Sequence, residues 1–341
     1  MSSELITLGV ETSCDETAAA VVKGWNTTLS SVVASQADLH SKYGGVVPEV
    51  ASRRHTELIA PVVREALEKA GLTFKDIGLV SVTRGPGLAG ALLVGLSYAK
   101  ALAYGLNIPL VGVNHLEGHV FASFLTQADA PMPMISLLVS GGHSELFIVE
   151  KPGSLKWLSG TRDDAAGEAF DKVAKLLNMG YPGGPLVEKM AQDGSPRFPF
   201  PIAMKGDETL DFSFSGLKTA VKLIVRGLES RGEPVPVADI CASFQKSLVE
   251  ALALKTKQAA LHVGAKSISV VGGVACNGAL RERMRRVGAE LRLPVIVPNP
   301  LLCSDNAVMI AGDGAYRYLA EPDSPKWKDY LDMDADARWV P

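Results

Sequence analysis

The sequence predicts an α/β fold made of two similar halves, and three segments carry that prediction. Each runs an apolar strand into a turn of small or polar residues. The first, "LITLGVETSCDETAAAVVKG" near residue 5, reads as strand, polar turn, strand. The second, "PMISLLVSGGHSELFIVE" near residue 134, repeats that layout with Gly141 and Gly142 at the turn. The third, "SISVVGGVACNGALRERMRRV", ends its strand at Gly272 and Gly273 and continues as a helix with a basic face. Between them, stretches such as "HTELIAPVVREALEKAG" place apolar residues at roughly helical spacing. Alternating strands and helices predict α/β, and the two hairpins predict a duplicated architecture. "ADAPMPM", from Ala128 to Met134, reads as a connecting turn.

The 341 residues are enough for about two domains. Hydrophobic residues make up 47% and charged residues 21%, the composition of a folded, core-forming chain. A formal net charge of −3 argues against wholesale nucleic-acid binding and leaves room for a local basic patch. The start, "MSSELITLGVE", lacks the basic and apolar regions of a signal peptide. The most apolar helix candidate, Leu88 to Leu106, is interrupted by Lys100 and is rich in Gly and Ala. That predicts a buried core helix rather than a membrane span. Cys14, Cys241, Cys276 and Cys303 form no C-x-x-C pair, which argues against a zinc knuckle and a disulfide framework and fits a reducing cytoplasm.

Several motifs carry chemistry, each with a plainer alternative. In "VSGGH", two glycines between strands let backbone N–H groups approach an anion, and Ser140 adds a hydroxyl; an ordinary glycine hairpin is the alternative. In "ETSCDET", Glu11, Asp15 and Glu16 crowd one turn. They would repel a bare phosphate, but could hold a cation, orient a nucleophile or take a proton; a solvated acidic tip is the alternative. In "VVGGVACNGAL", the glycines permit close approach of a flat ligand, and Asn277 either contacts a base or ribose or caps the following helix. Asp171 with Gly183 and Gly184 could hold ribose hydroxyls or simply end a helix in a tight loop. Lys218 reads as an anion contact or a solvated helix residue. Arg281, Arg283, Arg285 and Arg286, with Arg53 and Arg54, form the best basic patches, which matter only if a polyanion binds.

The stretch "NHLEGH" sets His115 and His119 four residues apart. On a helix they lie within roughly 40° of one another, so both imidazoles can reach one metal. A zinc-protease helix needs its glutamate directly after the first histidine, and Leu116 stands there. Glu117 lies roughly 200° around the helix from His115 and points away. The protease reading fails on this geometry. A metal site needs a third ligand, for which Asp305 in "LLCSDNAVMIAG" is a candidate; two histidines and a carboxylate would suit iron or zinc. Two unliganded histidines at a helix start remain the alternative.

Eight motifs, "GVETSCDETAAAVV", "NHLEGH", "LLVSGGHSEL", "FDKVAKLL", "GYPGGP", "DFSFSGLKTA", "VVGGVACNGALR" and "CSDNAVMIAG", resemble in this order the bacterial tRNA N6-adenosine threonylcarbamoyltransferase family (TsaD type), once described as O-sialoglycoprotein endopeptidases. "SQADLHSKYGGVVPEVASRRH" and "VTRGPGLAGALLVGLSYAKALA" are similar to two further family traits. The resemblance spans the first strand to about residue 320. It implies two related α/β domains of the actin-like, sugar-kinase-like ATPase fold with a nucleotide cleft between them, expected over residues 1–112 plus 325–341 and 113–324. It also implies the reaction: threonylcarbamoyl-adenylate gives its threonylcarbamoyl group to N6 of the adenosine beside the anticodon, in tRNAs reading codons that begin with A, and AMP leaves.

The family's residues carry over by position. The resemblance implies metal ligands at His115, His119 and Asp305, for one divalent ion, Fe2+ or Zn2+. It implies a phosphate-side loop at Leu138, Val139, Ser140, Gly141 and Gly142, and nucleotide contacts at Asp171, Gly184 and Asn277. Glu188 stands where some members carry a ribose-binding aspartate, and Asp15 and Glu16 match acidic residues tied to catalysis. ATP or ADP is expected to enter the same cleft. Expected partners are tRNA, a paralogous dimerisation partner and a small ATPase, with no membrane and a cytoplasmic location. The competing readings are a nucleotide-binding switch or scaffold of the same fold without transferase activity, a metalloprotease, and a small-molecule kinase.

Overall fold

Buried apolar residues along nearly all of β1 (Ile6–Glu11) make it a central strand covered on both faces. In the computed structural model, which describes residues 4–341, β1 pairs antiparallel with β2 (Glu16–Lys23), and β2 with β3 (Thr27–Ser35). A short α1 (Ala37–Ser41) and the long α2 (Pro48–Ala70) follow. The chain then returns as β4 (Leu79–Gly85), parallel to β1. After α3 (Ala89–Leu106) comes β5 (Leu110–Asn114), parallel to β4, and then α4 (His115–Thr126). The sheet order is β3-β2-β1-β4-β5.

The second sheet repeats this plan. The strands β6 (Met134–Val139), β7 (Ser144–Lys151) and β8 (Ser154–Gly160) form the antiparallel part. Helices α5 (Ala166–Leu176), α6 (Gly183–Gln192), α7 (Ser215–Ser230) and α8 (Val237–Val263) intervene. Then β9 (Ser267–Val271) joins parallel to β6, followed by α9 (Gly278–Leu291), β10 (Val295–Ile296) parallel to β9, and α10 (Pro300–Cys303). The order β8-β7-β6-β9-β10 matches the first sheet strand for strand. The duplication and both hairpins read from the sequence are therefore present.

The unit boundaries differ from those expected. The first unit comprises Met1–Ala128 with Ser304–Pro341, and the second Asp129–Cys303. Both α4 and the last long helix, α11 (Ala307–Ala320), belong to the first unit, not the second. Packing decides this: α11 lies on β1, β4 and β5 and against α4, and Met309 and Ile310 share a core with Val111 and Val113. Burying each such side chain stabilises by about 1.5–3 kcal/mol.

The core of the second unit joins Ile135 and Leu137 of β6 to Phe170 of α5 and Phe244 of α8, whose rings meet edge to face at 5.3 Å. Helix α3 is long and apolar enough to cross a membrane, yet it buries one face, Leu92, Leu96, Ala99 and Ala103, within the first unit. It is thus a core helix, as expected, buried along one face.

Candidate metal centre

Helix α4 starts abruptly because the side chain of Asn114 caps it, accepting from the N–H of Leu116 at 2.9 Å and of Glu117 at 3.3 Å. His115 therefore occupies the first helical position and His119 lies one turn on. Gly118 between them lets α4 close on α11, since a Cβ there would stand 2.8 Å from Ile310 Cδ1. Asp305 sits just before α11, whose cap Asn306 accepts from Met309 N at 3.0 Å. The three sequence-predicted ligands are thus brought together by two helix starts in one unit.

Their donor atoms converge. The Oδ1 of Asp305 lies 3.5 Å from His115 Nε2 and 3.1 Å from His119 Nε2, and the three ligand atoms lie within 4.8 Å of one another. The two imidazole rings meet edge to face at 82° with centroids 4.6 Å apart. Ligands bound at about 2.1 Å stand about 3.0–3.4 Å apart, close to the two separations from Asp305, and two imidazoles with a carboxylate are a donor set for one divalent ion.

The electrostatics agree. Burial disfavours a charge on His115, but Asp305 and Glu11 outweigh it and push its imidazolium up to about 9. Burial and the neighbouring His115 charge hold His119 below the usual imidazole range. One ring keeps a proton for the carboxylates and the other stays neutral; a bound cation would replace that proton. Glu117 forms an ion pair with Arg317, which also reaches Asp313, so this glutamate joins α4 to α11 and takes no part in the ligand set, as the helical geometry predicts.

The acidic turn is buried, not a solvated tip. Glu11, Thr12, Ser13 and Asp15 are all buried, and Glu16 is half-buried. Burial, then the charges of Asp305 and Asp15, push Glu16 up to about 10, and Glu16 hydrogen-bonds Asp15. His55 staples the turn from α2: its Nε2 meets Cys14 O at 2.9 Å and its Nδ1 meets Thr17 Oγ1 at 2.8 Å. Sequence reasoning missed His55, although it falls on the buried stripe of α2 with Ala51 and Ile59, a position where an imidazole needs partners.

The second unit gathers the remaining predicted residues. Leu138 and Val139 are fully buried strand residues, so only their backbone can meet a ligand. Gly141 and Gly142 are exposed, and a Cβ at either would meet nothing within 4 Å. Ser140 Oγ accepts from His143 N at 3.1 Å and closes this turn. Asp171 Oδ1 accepts from Gly183 N at 2.7 Å, and Glu188 Oε1 accepts from Gly278 N at 2.7 Å. Asn277 is the α9 cap: its Oδ1 accepts from Leu280 N at 3.0 Å while Nδ2 donates to Gln245 Oε1 at 2.7 Å. Gly184 has open space beside it. Gly272, at φ 90°, lies against the Val139 carbonyl, where any Cβ would collide.

The basic patches are largely spent within the chain. Arg283 pairs with Glu250 and Glu290, Arg285 and Arg286 with Glu282, and Arg54 with Glu57. Arg281 donates to the carbonyls of Ala275 and Pro298 and to Cys303 Sγ. The cysteines are free, but Cys276 and Cys303, far apart in sequence, hydrogen-bond through their thiols.

Known proteins of similar sequence share one description. A family model described as tRNA N6-adenosine threonylcarbamoyltransferase matches residues 27–312. A relative of that name from Clostridium perfringens is 53% identical over 312 residues, covering 91% of this chain and 92% of its own. Another from Moorella thermoacetica is 50% identical over 326 residues, covering 95% of each. Among solved structures, full-length HypF in a phosphate- and nucleotide-bound form overlays with a TM-score of 0.62 at 12% identity, over 95% of this chain and 47% of that one. Component A of the Acidaminococcus fermentans (R)-2-hydroxyglutaryl-CoA dehydratase overlays at 0.53 and 16% identity, over 93% and 99%. These neighbours share the actin-like, sugar-kinase-like ATPase fold. With the motifs, the repeated sheets and relatives at half identity over nearly the whole length in agreement, the chain belongs to the tRNA N6-adenosine threonylcarbamoyltransferase family.

Proposed function

We propose that this chain transfers the threonylcarbamoyl group from threonylcarbamoyl-adenylate to N6 of the adenosine beside the anticodon in tRNAs reading codons that begin with A, releasing AMP. Family membership over nine-tenths of the chain carries this reading. The side chains support it. In the reaction the adenine amine forms a C–N bond to the carbamoyl carbon, the bond from that carbon to the phosphate oxygen breaks, and the amine loses a proton. An exocyclic adenine amine is a weak nucleophile, so holding it against the carbonyl supplies much of the rate.

His115, His119 and Asp305 would hold one divalent ion, Fe2+ or Zn2+. When bound, that ion supplies Lewis-acid charge beside the adenylate oxygens. Asp15 and Glu16 lie together in the buried turn, where burial and then the charges of Asp305 and Asp15 push Glu16 up to about 10, and one of the two orients or deprotonates the incoming adenine amine. The Ser140–Gly142 turn offers backbone N–H groups to the phosphate side, and Leu138 and Val139 hold that turn on a rigid strand. Asp171, Gly184, Glu188 and Asn277 bind the adenylate's nucleoside, with ATP or ADP as competing occupants. Asn277 also anchors α9, so it contributes to nucleotide binding chiefly by placing the helix start.

The working assembly comprises tRNA, a paralogous dimerisation partner and a small ATPase in the cytoplasm, with a separate enzyme making the adenylate. The neutralised arginines of α9 fit tRNA being held partly by those partners. The test incubates the chain, its partners and an adenylate-forming enzyme with labelled threonine, ATP, bicarbonate and unmodified tRNA. Mass analysis of the digested tRNA should show threonylcarbamoyl-adenosine, lost with His115→Ala. No product, with partners that support a known transferase, would leave the chain a nucleotide-binding scaffold.

A further inference from the structure

We propose that Glu11 is a positioning residue of the metal centre: fixed by Thr83 and the Ser13 amide, its carboxylate grips His115 through Nδ1 and presents Nε2 towards Asp305. This rests on reading His115, His119 and Asp305 as a metal site. Glu11 ends the central strand β1 and has no exposed surface. Its Oε2 accepts from Thr83 Oγ1 at 2.5 Å and faces His115 Nδ1 at 3.0 Å, while Oε1 accepts from Ser13 N at 2.5 Å. Ser13 Oγ also lies 3.1 Å from the same Nδ1.

A carboxylate is costly to bury, and no lysine or arginine pairs with it among the described residues. On the opposite face of the same strand, Leu8 and Val10 fill core positions with apolar side chains. Packing alone therefore does not account for an acid at Glu11.

The chemistry of imidazole does. A hydrogen bond at one ring nitrogen decides which nitrogen is left for a metal, and a charged acceptor strengthens the other as a donor. Thr83, on the neighbouring parallel strand, keeps the carboxylate from turning away. The two ligand histidines are thus unequal. His115 is braced by Glu11, whereas His119 Nδ1 is buried without a hydrogen-bond partner among the described residues.

The test is metal affinity, measured on the full chain by competing Zn2+ and Co2+ against a chromophoric chelator, together with the Co2+ absorption bands. Glu11→Gln should weaken affinity about 10–100-fold and shift those bands, with far-UV circular dichroism and the metal-free Tm retained. Thr83→Val, which changes no charge and little volume, should weaken affinity in the same direction by a smaller factor. Parent-like affinity in both variants overturns the proposal. If Glu11→Gln fails to fold, Thr83→Val decides it alone. If His115→Ala and His119→Ala also bind as tightly as the parent, the metal-site reading fails with it. That result is distinct from one in which only the Glu11 and Thr83 changes are silent.

Discussion

The turn between β1 and β2 and the turn between β6 and β7 hold the same place in two sheets of identical strand order, yet they are built oppositely. The first is buried, carries carboxylates, and is pinned by His55 and by Glu11 beneath it. The second is exposed and consists of glycines with open space around them. One backbone plan thus carries two constructions, which under the proposed function would act through side chains in the first unit and main-chain N–H groups in the second. Substitutions should separate the two.

The largest effect should come from the ligands. Asp305→Ala or His119→Ala, or removal of the metal by a chelator, should lower threonylcarbamoyl transfer by about 10³-fold, since metal charge stabilisation is worth several kcal/mol. Single-turnover rates with saturating adenylate check this. Near-normal rates after complete metal removal would place the chemistry elsewhere. Next, Asp15→Asn and Glu16→Gln should each lower kcat by about 10²–10³-fold with little change in KM, the scale of a lost acid–base group. Parent-like kcat in both would reduce the acidic turn to a structural role.

The glycine turn should respond in KM instead. Gly141→Val should leave urea unfolding unchanged, since its Cβ meets nothing, while raising KM for the adenylate about tenfold by obstructing a backbone hydrogen bond. Gly272→Ala makes the contrast inside the same unit. At φ 90° against the Val139 carbonyl it should cost about 2–3 kcal/mol in urea unfolding. Equal behaviour of these two variants would break the comparison.

The smallest effect concerns thiols and needs no substrate. Hydrogen bonding from Cys303 and the Arg281 charge lower Cys276 to about 7, whereas burial and the charges of Asp305 and Asp15 push Cys14 well above the thiol range. Iodoacetamide labelling of Cys276 should therefore rise through about pH 7, with the thiolate favoured above it, while Cys14 stays unlabelled through neutral pH. Labelling of Cys14 first would mean that the acidic turn is more open than its burial shows.

Much of the fold was legible because strand and helix periods are local. The hairpin at residues 5–23, the helix through "HTELIAPVVREALEKAG" and the strand entering "VVGGVACN" all form where the apolar spacing puts them. The histidine pair was legible for the same reason, since helical geometry sets both rings on one face. Less visible were the unit boundaries. Nothing local in "AVMIAGDGAYRYLA" says that this helix packs under the first sheet, because its apolar stripe would suit either sheet.

By itself, then, the sequence determined the element types, the repeated hairpin plan and the candidate histidine pair, all of which depend on neighbours a few positions apart. Only the tertiary structure decided how Asp305, named from the sequence as a candidate third ligand, comes within reach of His115 and His119, that Glu11 meets the His115 ring from the start of the acidic turn, and that His55 reaches back to Cys14. These contacts join residues from 41 positions apart (Cys14 and His55) to 190 positions apart (His115 and Asp305). Such contacts depend on which helix faces which strand after packing, and side-chain burial sets that only once the whole sheet is covered.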